Sequence, residues 1–331
     1  LELGALGEVS VKSITAFREM ETDSLAELDG TPVAITLFDT ADQQIEQFTQ
    51  EFQFVGIALD DRLDYLLGFY WFEEEGHLDS YNRTLDFTIL GDAEPFNEIF
   101  TLVDIDNEAW AVYGQGTLSD VFVEGLNFTA GLRYTEETRG VGIDRREFRG
   151  PLGLQAAGCD VMSPGYDPLA CLSFDIDEDA TYDNVSWMVN SSYQWDDNHM
   201  SYLRIATGYQ SGGFNGRATT LDSASTPFDE QTSLQYELGF KSKLWQQRIQ
   251  LNAALFYTDN EDLQLAAFPP GSDSPNVGTI VTNAGSSHVY GGELELLALV
   301  TPELEMYFNY AYLEGKFDEY IIGLDDLDGD G

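Results

Sequence analysis

The sequence predicts an all-β chain: an antiparallel meander of about eleven strands. Three observations carry this. Apolar and polar residues alternate with a period of two through most ordered-looking segments, and successive strand side chains point to opposite faces. Short and long connections take turns along the chain. No run approaches the ~18 to 20 apolar residues of a membrane helix.

The clearest alternation lies between residues 201 and 265. Leu203, Ile205, Thr207 and Tyr209 fall on one face, with Arg204, Ala206, Gly208 and Gln210 on the other. Leu234, Tyr236, Leu238 and Phe240 alternate with Gln235, Glu237, Gly239 and Lys241. Leu251, Leu255 and Tyr257 alternate with Asn252, Ala254 and Thr258. Each run is a strand with one apolar and one mostly polar face.

In chain order, a first strand lies within 7–21, and a polar loop follows to about residue 44. The second strand, 45–55, has Phe48, Phe52 and Phe54 on one face. After a short connection at 56–62, Leu63, Tyr65, Leu67, Phe69 and Trp71 mark the third. Residues 76–107 are expected to form a long acidic loop before the fourth strand, 108–118. A turn at 119–125 leads to the fifth, marked by Leu126, Phe128, Ala130, Leu132 and Tyr134. Residues 140–180 show no period and are expected to be the longest loop; Val185, Trp187, Val189 and Tyr193 mark the sixth strand. A turn at 196–199 joins it to the seventh, and 243–247 joins the eighth to the ninth. A loop at 261–281 carries Pro269 and Pro270, and the tenth (287–299) and eleventh strands meet at Pro302.

A soluble sandwich or smaller barrel has no reason to keep every second connection short. A membrane barrel does, because its turns at one end are short and its outer loops long. Strands near ten residues with aromatic residues near their ends fit the same expectation.

Four segments add a resemblance: GYQSGGFN (208–215), YELGFKS (236–242), LNAALFYTDNEDLQL (251–265) and TNAGSSHVYGGELEL (282–296). In this order and spacing they resemble the barrel of TonB-dependent outer-membrane receptors of the iron-complex, siderophore branch. Weaker similarity extends through QEFQFVG (50–56), LLGFYWFEEE (66–75) and LNFTAGLRYTEE (126–137). The resemblance implies part of a twenty-two-strand transmembrane β-barrel, with the N-terminal plug domain and the last strands outside 1–331. It implies the outer membrane of a Gram-negative bacterium. It further implies surface capture of a scarce ligand, commonly a ferric siderophore, and import energised by TonB through the missing N-terminal region. Arg133 and Arg204 are the lumen-facing candidates for ligand contact, or for pairing with lumenal carboxylates. A passive porin-like channel and a non-transport surface-binding barrel are the rivals.

The chain carries 15 Lys and Arg against 59 Asp and Glu, a formal charge of −44. Such a surface repels phosphates and excludes a nucleic-acid partner. The acid reads either as a solvated surface or as loops facing divalent cations. With 43% hydrophobic and 13% aromatic residues, the composition is not that of a disordered chain.

The three histidines, His77, His199 and His288, lie in separate segments without metal-ligand spacing. No nucleophile elbow, Walker loop or dinucleotide fingerprint is present, so neither an enzyme nor a cofactor is expected. Cys159 and Cys171 share one loop, and a disulfide is expected in an exported protein. Asp326, Asp328 and Asp330 match the opening of a calcium loop; a solvated loop is the competing reading.

Overall fold

Eleven strands pair in sequence order as one antiparallel sheet in the computed structural model, with a second, two-stranded sheet beside it. The structure describes residues 8–27, 36–85, 96–149, 172–267 and 280–320. The first six strands are long: β1 (Glu8–Glu27), β2 (Thr36–Ala58), β3 (Leu63–Leu85), β4 (Phe96–Leu118), β5 (Leu126–Arg149) and β6 (Leu172–Asp196). They are followed by β7 (His199–Gln210), a helical turn α1 (Leu221–Ser225), β8 (Gln231–Leu244) and β9 (Ile249–Glu261). The small sheet is β10 (Gln264–Ala267) with β11 (Ile280–Asn283), and β12 (Ser286–Thr301) and β13 (Leu304–Glu319) complete the meander.

The short turns at 59–62, 119–125, 197–198, 245–248 and 302–303 all fall at one end. Two of them are braced by arginine. Arg62 donates to the carbonyls of Ser119 and Asp120 in the next turn. Arg248 donates to those of Leu299 and Val300. Asp196 closes the two-residue turn at 197–198 by accepting the Asn198 and His199 N–H groups.

Register assigns the two faces. Leu203 sits opposite Leu238, Ile205 opposite Tyr236 and Arg204 opposite Glu237. The apolar set points outward: Leu132 is 58% exposed, Leu238 55% and Leu255 63%. On β3 to β5 this outward band ends at Trp71, Trp110 and Tyr134, and carboxylates follow at once at Glu73, Glu108 and Glu136. From Leu63 to Trp71 the strand makes eight steps. At ~3.3 Å each and a tilt near 40°, the band is roughly 20 Å tall, close to the ~25 Å of a lipid-facing barrel wall.

Beyond that row the strands continue, where long loops were expected at 76–107 and 140–180. Residues 76–85, 96–107, 140–149 and 172–180 are strand. The reason is an inversion of phase. Below the aromatic row the apolar residues face outward, as Val112 and Leu132 do. Above it they face inward: Val103, Val141, Ile143, Phe174 and Ile176 form the buried cluster, joined by Ala218 and Ala224. Many of the outward positions there are acidic, including Asp104, Asp106, Asp175, Asp177 and Asp179. A charged outer face with displaced apolar residues breaks a single alternating pattern, and so resembles a loop in sequence. The segment 211–230 also differs from a plain loop: it turns into the interior and packs on that cluster. β10 and the start of β11 lie within the 261–281 region expected to be loop, their pairing anchored beside β9 and β12.

Candidate functional site

The inward face of β2 to β6 is polar along the height of the outward band. Glu51 on β2 accepts from the Tyr113 hydroxyl on β4. The Tyr113 ring reaches it by crossing Gly68 of β3, where an added Cβ would fall inside the ring. Tyr202 crosses Gly239 in the same way and donates to Glu237. Both glycines serve as clearances that let a tyrosine lie flat across a neighbouring strand.

Arg133 faces this interior. Its guanidinium carbon is 5.5 Å from the ring centroids of both Tyr70 and Tyr113, and its Nε donates to Thr135 at 2.9 Å. The cation rests on aromatic faces, which attract it through their quadrupoles. Arg204 also faces inward, opposite Glu237, and is exposed. The two arginines are on different parts of the wall: the structure places Arg133 in an aromatic setting and Arg204 on an open one. Higher up, Glu74 accepts from Asn107 at 2.7 Å and also from Gln47.

Above this wall lies a cleft of about 650 Å³. Ile105 and Val141 form its apolar side; Asn107, Glu137 and Arg139 supply polar groups. Arg139 bridges Glu137 at 2.6 Å and Ser211 at 3.0 Å. Phe214, Phe228 and Gln264 close the other side. The cleft therefore combines an apolar surface with a cation, a carboxylate and amides, the mixed lining of a ligand pocket.

Tyr209 corrects one expectation. Alternation assigned it to the outward face with Leu203, Ile205 and Thr207, yet its hydroxyl donates to inward-facing Glu137 and its ring lines the cleft. The cause is local: the β6–β7 ladder ends at Met188 and Ala206. The Thr207 hydroxyl then takes the Trp187 N–H at 2.9 Å, and the chain turns inward past Gly208. Gly208, Gly212 and Gly213 interrupt the alternation in the sequence, but they do not give the direction of the turn.

Glu230, in the segment before β8, is pushed up from the ordinary glutamate range by burial, opposed by a hydrogen bond to Asn184 and reinforced by Asp183, Asp229 and Asp262. Each histidine lies against an aspartate: His77 on Asp104, His199 on Asp196 at 2.8 Å and His288 on Asp318 at 2.7 Å. Among the described residues no group of His, Cys, Asp and Glu is arranged to hold a metal. Cys159, Cys171, Asp326, Asp328 and Asp330 lie outside the described residues. Among the described residues no helix is long and apolar enough to cross a membrane, which leaves a strand-built crossing open.

Comparison with known proteins gives four findings. The family model for the TonB dependent receptor-like β-barrel matches residues 9–331. The pesticin receptor of Yersinia enterocolitica is 34% identical over 113 residues, 34% of this chain and 16% of that protein. Among solved structures, the ferric yersiniabactin uptake receptor FyuA from Yersinia pestis superposes with a TM-score of 0.72 at 19% identity, covering 95% of this chain and 42% of that one. The siderophore receptor PiuA from Acinetobacter baumannii gives 0.61 at 15% identity, covering 94% and 45%. The chain thus spans less than half the length of these two solved receptors. With the family matched over nearly its whole length, and with an outward apolar band beneath an inward polar wall, the chain belongs to the TonB-dependent receptors as part of their outer-membrane β-barrel.

Proposed function

We propose that the protein containing this chain captures a ferric siderophore at the cell surface and imports it with energy delivered by TonB. The observation that supports this best is the family match over residues 9–331. The relatives' own names point the same way, one being a ferric yersiniabactin uptake receptor. The lumenal cleft adds a physical reason: its apolar side and polar rim suit a ligand with a hydrocarbon body and a polar, iron-chelating head. Arg133 and Arg204 offer cations to such a ligand along the lumen below.

In this reading the chain supplies wall and loops, and the ligand passes through chemically unchanged. TonB engages an N-terminal region that is not in this chain, and a plug fills the lumen. Among the described residues, β1 and β13 each pair with a strand on one side only. Lipid cannot satisfy an open sheet edge, so in the whole receptor further strands close the barrel, twenty-two in all.

The test is uptake of radiolabelled ferric siderophores by cells with and without the gene, in TonB-competent and TonB-deficient backgrounds. Uptake is expected to need both. Flux that survives loss of TonB would indicate a passive channel. No gene-dependent flux, with surface binding retained, would indicate a non-transport protein.

A further inference from the structure

The sequences GGFN at 212–215 and TNAG at 282–285 have no part in the wall chemistry above, yet their side chains are directly engaged. Asn215 is buried. Its Nδ2 donates to the Val281 carbonyl at 3.1 Å, and its Oδ1 accepts the Val281 N–H at 2.6 Å. Asn283 mirrors it. Its Oδ1 accepts the Asp229 N–H at 2.7 Å, while its Nδ2 donates to the carbonyls of Asp229 and Asp262, each at 2.9 Å. Gln264 Nε2 donates to the carbonyls of Ser211 at 2.9 Å and Asp229 at 3.0 Å.

A side-chain amide presents one acceptor and two donors on a flat group. It can pair a peptide edge with two bonds at once, as a neighbouring strand would. Here the amides join two segments far apart in sequence: 211–230, and the β10–β11 unit with its flanks. Each segment is also closed on itself, by the Gly213–Phe228 bridge in one and by the bonds of Leu263 with Ala284 and Gly285 in the other. Tyr182 ties the first to β6 through the Phe228 carbonyl at 3.0 Å. Both segments border the same cleft, at Phe214, Phe228 and Gln264.

We propose that Asn215, Asn283 and Gln264 are positioning residues that latch these two extracellular segments into one roof over the lumenal cleft. The segments order together and open together; neither moves as an independent loop. What the roof covers rests on the proposed function, but the latch itself does not.

Hydrogen–deuterium exchange on the purified full-length receptor in detergent micelles, without ligand, tests this. Asn215→Ala should speed exchange across Ile280–Asn283 by about tenfold or more, the loss expected from removing a buried pair of hydrogen bonds. Asn283→Ala should do the same across 213–230, and the double variant should be no faster than the quicker single one. Unchanged exchange in β8 and β9 shows that the barrel stays folded. The bridge formed by Asn215→Cys with Val281→Cys should restore protection in both segments. Acceleration confined to the segment that carries the substitution, or no acceleration in either segment, would overturn the latch. Neither result depends on whether the receptor transports a siderophore.

Discussion

Replacing Leu238 with arginine drives a charge into the middle of the outward band. Leu238 is 55% exposed on the isolated wall, flanked across the ladders by Leu203 and Leu255. In a bilayer that exposure faces hydrocarbon. Arginine at the midplane of a barrel wall costs ~2 to 4 kcal/mol. At ~1.4 kcal/mol per decade that is roughly a thirtyfold to thousandfold fall in the folding equilibrium. Asn252→Arg is the matched control. Asn252 faces the interior and already donates to Glu295 at 3.1 Å, so arginine keeps the same carboxylate partner and makes a charge-assisted bond to it. Its effect should stay within about 0.5 kcal/mol. Denaturant titration of the full-length protein refolded into lipid vesicles, followed by tryptophan fluorescence, measures both. Equal shifts for the two variants would show that the faces are misassigned.

Three further outcomes follow from particular groups. Gly68→Val should displace the Tyr113 ring and remove its bond to Glu51, lowering stability by ~2 kcal/mol; adding Tyr113→Phe should cost nothing more, as a denaturant-based double-mutant cycle would record. Glu230 holds its proton more tightly in the folded segment than in the unfolded one. Its stabilising contribution is therefore full below the ordinary glutamate value and is lost as pH rises through the raised one. Exchange protection of residues 228–231, corrected for intrinsic rates, should fall as pH rises above the ordinary glutamate range, and Glu230→Gln should flatten that dependence. Cys159 and Cys171 should form a disulfide, worth roughly 3 kcal/mol by loop closure; in the denatured, unreduced receptor neither should take up a thiol reagent, and both should after reduction.

Much of this wall was legible because its chemistry is repetitive. The five short turns and the outward set on β8 and β9 follow from period-two alternation alone. The upper halves of β3 to β6 were not legible, since alternation there changes phase where hydrocarbon gives way to water. Apolar residues stop seeking lipid outside and instead seek the segment folded inside, so Ile105 and Ile143 occupy the opposite parity from Val112 and Leu132. The clearance roles of Gly68 and Gly239 need the register, which no single strand reveals. Asn215 and Asn283 read as polar loop residues because their partners are backbone groups distant in sequence. Strand parity placed Arg133 and Arg204 on the inward face, as the register does, but could not foresee the two rings under Arg133.

The phase inversion is the point at which the membrane assignment is most exposed to test. Spin labels placed one at a time along β5, from residue 128 to 143, in full-length protein in lipid vesicles and a Cys159→Ser, Cys171→Ser background, would read it directly. Oxygen accessibility should peak at 128, 130 and 132. Above 136 the even positions should turn accessible to a water-soluble nickel complex, while 141 and 143 should be shielded from both reagents. Oxygen peaks that continue in the same phase to 143, or no alternation at all below 134, would contradict a lipid-facing wall that becomes an extracellular one at Tyr134.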